Sequence, residues 1–219
     1  MGIPVLIIGK SGTGKSTSLR NFPEAGVINV LGKPLPFKNA QKTFITDDYG
    51  KIIKTLSTCK AKSVVIDDSG YLMTNQFMSG HSNQGAGNAI FSFYNDLGDK
   101  FWGLIRYVIT QLPDDRIVYF IMHEDKNDFG DMKPKTIGKM LDEKVCIEGM
   151  FTIALHSVIS CGKYVFRTNS DGAEICKTPM GMFDSDEIEN DLKFVDEKIR
   201  EYYELNESEE NENVQTKRI

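Results

Sequence analysis

A mostly parallel α/β sheet flanked by helices, with antiparallel strands at its C-terminal edge, is the fold this sequence predicts. Three observations carry the prediction. An apolar run at residues 5–8 feeds a glycine-rich loop, strands alternate with helical stretches through the first two-thirds of the chain, and several strands follow one another near residues 150–177. Alternation of strand and helix buries a parallel sheet between helices, whereas consecutive strands close as antiparallel neighbours.

The elements follow in order. Val5-Leu6-Ile7-Ile8 is the first strand, and residues 15–21 open the first helix, stopped before Pro23. Residues 26–30 form a second short apolar strand, and a linker rich in turn residues (Gly32, Pro34, Pro36) leads to a third at residues 43–45. Residues 49–58 carry Ile52, Ile53 and Leu56 at helical spacing. Ser63-Val64-Val65-Ile66 is a β-branched core strand, and residues 70–78 are helical. Residues 79–88 form a polar loop ahead of a long amphipathic helix over residues 89–112. Residues 117–122 are a buried strand ending on His123-Glu124, and residues 125–136 a second polar loop. Strands follow at residues 150–156, 163–168 and 174–177, with Asp171-Gly172 a hairpin turn, then a helix over residues 187–204.

The first strand runs into Gly9, Lys10, Ser11, Gly12, Thr13, Gly14, Lys15 and Ser16, followed by Thr17. This is the G-x-x-x-x-G-K-[ST] phosphate-binding pattern, with the preceding strand and following helix that it requires. Its glycines let backbone N–H groups turn inward around phosphate oxygens, at the positive end of the following helix. Lys15 is expected to reach the β- and γ-phosphates, and Ser16 to ligate Mg²⁺. An accidental Gly/Ser/Lys-rich turn would lack that flanking context.

The strand at residues 63–66 ends on Asp67-Asp68, which puts acids at the C-terminal edge beside the phosphates. Asp67 is expected to hold Mg²⁺, and Asp68 to orient the attacking water. Two acids that merely cap a strand are the competing reading. His123-Glu124 ends the next buried strand, where a polar group can contact the γ-phosphate; a solvated strand end is the alternative. Phosphoryl transfer often needs a further cation, for which Lys177 and Arg167 on the late strands are candidates from a neighbouring subunit. His81 and His156 read as plain loop and core residues.

With those elements in place, the chain resembles the phage-encoded P-loop nucleotide-binding proteins of about this length. These are grouped with AAA-type and RecA-like core ATPases, some acting as Sak-type single-strand annealing ATPases. Beyond the phosphate loop, the resemblance rests on Gly32-Lys33-Pro34-Leu35-Pro36-Phe37, Ile137-Gly138-Lys139-Met140-Leu141, Glu148-Gly149-Met150-Phe151, Lys177-Thr178-Pro179-Met180-Gly181-Met182-Phe183 and Asn190-Asp191-Leu192. It implies an α/β P-loop NTPase with a RecA-like sheet over residues 1–205, binding ATP and Mg²⁺ and hydrolysing ATP in phage recombination or replication. Single-stranded DNA, a single-stranded-DNA-binding protein and further copies of the chain are the partners it implies. RecA-type ATPases take their catalytic Glu from another strand, and the corresponding residues 30–33 offer no acid here. The loops at residues 79–88 and 125–136 match the place of DNA-binding loops; the second carries Lys126, Lys133 and Lys135, with Phe129 and the nearby Lys139, although Asp125, Asp128 and Asp131 offset that charge.

A small-molecule kinase such as a nucleotide kinase is the competing enzyme class. It would need an arginine-rich lid, and the arginines here are unclustered. A nucleotide-gated binding module with little turnover is the third reading. The net charge of −5 is not that of a bulk nucleic-acid binder, and residues 206–219 read as an acidic, disordered tail. Four dispersed cysteines suggest neither a disulfide framework nor a zinc site. With no apolar run of membrane length and no signal peptide, a cytoplasmic location is expected.

Overall fold

The computed structural model describes residues 1–38, 40–84, 87–127, 130–138, 141, 144–170, 172 and 174–205; the acidic tail predicted at residues 206–219 lies outside them. Strand β1 (Ile3–Gly9) is buried from Pro4 onward without alternation, as a strand covered on both faces must be. Around it run β2 (Gly26–Asn29), β3 (Phe44–Ile45), β4 (Ser63–Asp67), β5 (Ile117–Lys126), β6 (Met132–Pro134), β7 (Ile153–Ser160), β8 (Lys163–Arg167) and β9 (Glu187–Glu189). The order across the sheet is β3-β2-β4-β5-β1-β7-β8-β9, with β6 beside β5. Pairings from β3 through β7 are parallel, and β7–β8, β8–β9 and β5–β6 are antiparallel. The predicted parallel sheet with an antiparallel C-terminal edge is therefore the observed one.

Successive residues of β1 feed two cores. Leu6 and Ile8 pack with α1 (Tyr49–Thr58), α2 (Tyr71–Gly80) and α3 (Asn88–Gln111) through Ile52, Leu56, Leu72, Phe101 and Ile105. Val5 and Ile7 pack on the other face with Leu19 and with Leu192, Val195 and Ile199 of α4 (Leu192–Tyr202). Helix α1 starts where Asp48 accepts a hydrogen bond from the Lys51 N–H at 2.7 Å, satisfying one of the free donors of the first turn.

Five stretches depart from expectation. Residues 187–204 are not one helix: Glu187-Ile188-Glu189 alternates and pairs with β8, packing a partly buried Ile188 against the second core. Asp191 then caps α4 by accepting from the N–H groups of Lys193 and Phe194. The loop predicted at residues 125–136 is largely a hairpin, because β5 continues to Lys126 and Glu124 pairs with Pro134; Asp128, Phe129 and Lys139 lie outside the described residues. The strand expected at residues 150–156 starts at Ile153, since Ile147–Met150 forms a 3-10 turn, and that at residues 174–177 shrinks to one bridge between Lys177 and Ala154. Within residues 79–88, α2 runs to Gly80 and His81–Asn83 adds a 3-10 turn, because backbone N–H groups there still find carbonyls behind them.

Helix α4 is fixed to the sheet by a buried polar cluster. Arg200 donates to Asp196 (2.7 Å) and to Ser63 Oγ (2.7 Å), while Ser63 Oγ (2.5 Å) and the Tyr119 hydroxyl (2.8 Å) donate to Asp196. Removing one partner strands a buried charge. Asp196→Ala is expected to lower unfolding free energy by about 3–5 kcal/mol in urea titrations; a loss under about 1 kcal/mol would show that the cluster is solvated, as surface pairs are.

Candidate functional site

The C-terminal ends of β1, β4 and β5 meet at one edge of the sheet, where Gly9 lies in register with His123. From Gly9 the chain turns sharply, and a Cβ there would stand 2.5 Å from the Ser157 carbonyl oxygen. Gly14 has φ +94°, a left-handed conformation that side chains resist. The loop is closed by the Thr13 hydroxyl donating to the Lys10 carbonyl (2.9 Å) and by Ser157 Oγ donating to the Thr13 carbonyl (2.8 Å). The helix predicted from Lys15 is a 3-10 segment, Ser16–Asn21; six residues ahead of Pro23 leave little length for an α-helical ladder.

Lys15 is buried, and its ammonium donates to the carbonyls of Gly9 and Lys10, both at 2.7 Å. Burial lowers its pKa to about 8, against the pull of Asp68, Glu124 and Asp67. The cation is thus stored on carbonyls of its own loop, at the centre of an acidic group. A bound phosphate supplies stronger acceptors than those carbonyls.

Ser16 Oγ donates to Asp67 Oδ1 at 2.7 Å, which joins the loop to the end of β4. Asp67 Oδ2 is buried and has no hydrogen-bond partner, and burial, then the Asp68 charge, pushes this carboxyl up to about 6. An orphan buried carboxylate oxygen beside a hydroxyl is the donor set a hard cation completes, so these residues fit Mg²⁺. Among the described residues no group of three or more His, Cys, Asp and Glu could hold a metal ion.

Asp68 follows on a tight turn with φ +58° and is almost fully buried. Lys33 Nζ lies 2.5 Å from its Oδ2, and His123 Nε2 lies 3.7 Å from its Oδ1. Burial works against the Lys33 charge, but Asp68 outweighs it and holds the ammonium above its ordinary value. The linker after β2, which carries no acid at residues 30–33, thus offers a cation. His123 stands edge-on to Tyr71, and its pKa is lowered by burial and by Lys15.

Glu124 is held on its other side. His156 Nε2 lies 2.7 Å from Glu124 Oε2, and His156 Nδ1 lies 3.1 Å from Glu174 Oε2. Glu174 pairs in turn with Arg167, which also reaches Glu187 at 3.2 Å. A chain of charged and polar groups, buried at Glu124 and His156 and partly exposed at Arg167 and Glu187, therefore runs from β5 to β9. The sequence marks His156 only as a core residue and gives Lys33 no site role, because each finds its partner only across strands distant in sequence. The structure brings together Lys15, Ser16, Asp67, Asp68, His123 and Glu124. It does not bring Lys177 to them: Lys177 is exposed and bridges Ala154, which sits in register with Leu6, three residues before the loop begins.

Two cavities flank the loop. One, of about 460 Å³, is lined by Lys10, Ser11, Tyr71, His123, Glu124 and Lys135. The other, of about 710 Å³, lies on the β8–β9 side against Thr17, Arg20, Tyr164 and Asn190.

A phosphate loop on the central strand, an acid-ended β4 and the polar end of the intervening β5 define a P-loop nucleotide-binding protein of the ATPase type. Residues 1–173 match the family model described as an AAA domain, and the chain belongs to that family. No curated protein matches it. Among the described residues no helix is long and apolar enough to cross a membrane.

Proposed function

We propose that the protein binds ATP with Mg²⁺ and hydrolyses it, and that its ATP state organises a homo-oligomer on single-stranded DNA in phage recombination, annealing or replication. The observation that carries the ATP reading is the junction of Lys15, Ser16 and the unpartnered oxygen of Asp67. Lys15 holds the β- and γ-phosphates, and Ser16 with Asp67 holds the cation, which neutralises charge on the phosphate oxygens. Asp68 orients water, and His123 and Glu124 contact the γ-phosphate. Lys177 of a neighbouring subunit is the candidate external cation.

The DNA reading draws on the sequence resemblance and on the hairpin that continues β5. Its backbone is tied to the site, since the Lys135 N–H donates to the His123 carbonyl at 2.8 Å. A strand bound along Lys133 and Lys135, which share one face of the hairpin while Lys126 lies on the other, would sit one residue pair from His123-Glu124. The protein would act in the host cytoplasm beside a single-stranded-DNA-binding protein.

ATP turnover measured alone, with single-stranded DNA and with duplex DNA tests this reading. Single strands alone are expected to raise turnover several-fold. Turnover indifferent to DNA would remove the DNA role and turn attention to small-molecule phosphate acceptors.

A further inference from the structure

We infer that the cavity on the β8–β9 side of the phosphate loop takes the nucleoside of the bound nucleoside triphosphate, with its base stacked on Tyr164 and its ribose facing Asn190. The inference rests on the nucleotide reading above and adds to it the part of the ligand that the phosphate motif does not describe.

Direction comes first. The groups that engage the γ end, Asp67, Asp68, His123 and Glu124, stand on β5 or at the end of β4, to one side of β1. A triphosphate laid along the loop with its γ end there must run out toward the other side, where β7, β8 and β9 follow. Thr17, directly after the cation-binding Ser16, lines the cavity on that side. Its volume of about 710 Å³ suits a nucleoside, within the usual range of about 300–1,000 Å³ for small-molecule sites.

Two side chains suit that occupant. Tyr164 is 52% exposed, yet it does not stand free: its Cδ1 is 3.0 Å from where a Cβ on Gly14 would sit. The ring is therefore set against the loop with much of its surface open, which is the requirement for a stacking platform. Asn190 is 1% exposed, and its Nδ2 donates to Ser157 Oγ at 3.2 Å. Ser157 gives its one proton to the Thr13 carbonyl, so it must accept from Asn190, and this fixes which way the amide points. The Asn190 Oδ1 that remains is buried, has no hydrogen-bond partner, and lies 3.2 Å from that same Gly14 position. A buried carbonyl left unpaired is costly, and a ribose hydroxyl at the loop would satisfy it. Arg20 donates to the Asn190 carbonyl and to Glu189 at 3.1 Å, which ties the 3-10 segment to the cavity wall.

The test compares ATP with inorganic tripolyphosphate, each with Mg²⁺, by calorimetric titration of the full chain. Wild type should bind ATP more tightly than tripolyphosphate. Tyr164→Ala should weaken ATP by about ten-fold or more, the worth of one stacked base, and leave tripolyphosphate unchanged. Tyr164→Phe should keep both affinities. An unchanged ATP affinity in Tyr164→Ala, or an equal loss for both ligands, would overturn the subsite. Failure of wild type to bind either ligand would instead overturn the nucleotide reading beneath it.

Discussion

Lys15→Ala is expected to abolish ATP turnover and to weaken ATP binding. The loss in rate should be at least about a hundred- to a thousand-fold, the effect of removing one preorganised group from developing charge. The argument starts from desolvation. The Lys15 ammonium is buried, satisfied only by the Gly9 and Lys10 carbonyls, and its pKa of about 8 keeps it protonated at neutral pH despite that burial. Asp68, Glu124 and Asp67 all raise its pKa, so its charge offsets theirs in the site. Alanine removes a phosphate ligand and leaves those acids to repel the triphosphate, so affinity and rate fall together. Arginine does not rescue it: the forked guanidinium cannot sit as a point donor between two carbonyls of a closed loop. Fluorescent-nucleotide titration and phosphate release check the two effects separately, and unchanged turnover would remove the site assignment.

What could be read from the sequence and what could not divide along one physical line. The parallel sheet, the loop and the Asp67-Asp68 strand end were legible because each is local: unbroken apolar β-branched runs, glycines where the chain turns, acids where a strand stops. Residues 187–189 carry no strand signal of their own, because a three-residue strand has too little periodicity to outweigh the helical pattern of the eleven residues of α4 beyond it. The β5–β6 hairpin was hidden by Pro134 and by the charged residues between its strands, and it forms only because β5 extends past the sheet edge. The site divides in the same way. Lys15, Ser16 and Asp67 carry motif signals, whereas Lys33, His156 and Asn190 owe their roles to partners brought up by other strands. A lysine in a proline-rich linker or a histidine in an apolar strand has no local signature of what it will touch.

Asp68→Asn is expected to preserve ATP binding and to lose most hydrolysis, about 10²- to 10⁴-fold, the range for a positioned acid–base group. Asparagine keeps the shape of the side chain and tolerates the left-handed backbone at φ +58°, so the turn at the end of β4 should stand. What it removes is the negative charge between Lys33 and His123. In the free protein Lys33 occupies one oxygen of that carboxylate, and Asp is one methylene shorter than the Glu common at this position. For Asp68 to orient water, the incoming γ-phosphate must draw Lys33 away, and the half-exposed Lys33 side chain has room to move. Glu124 is the competing base, longer and fixed by His156 at 2.7 Å. The two variants separate the roles under single-turnover conditions: loss in Asp68→Asn with turnover kept in Glu124→Gln assigns the water to Asp68. Turnover kept in Asp68→Asn and lost in Glu124→Gln moves it to Glu124, and leaves Asp68 as the counter-ion that parks Lys33 until nucleotide arrives.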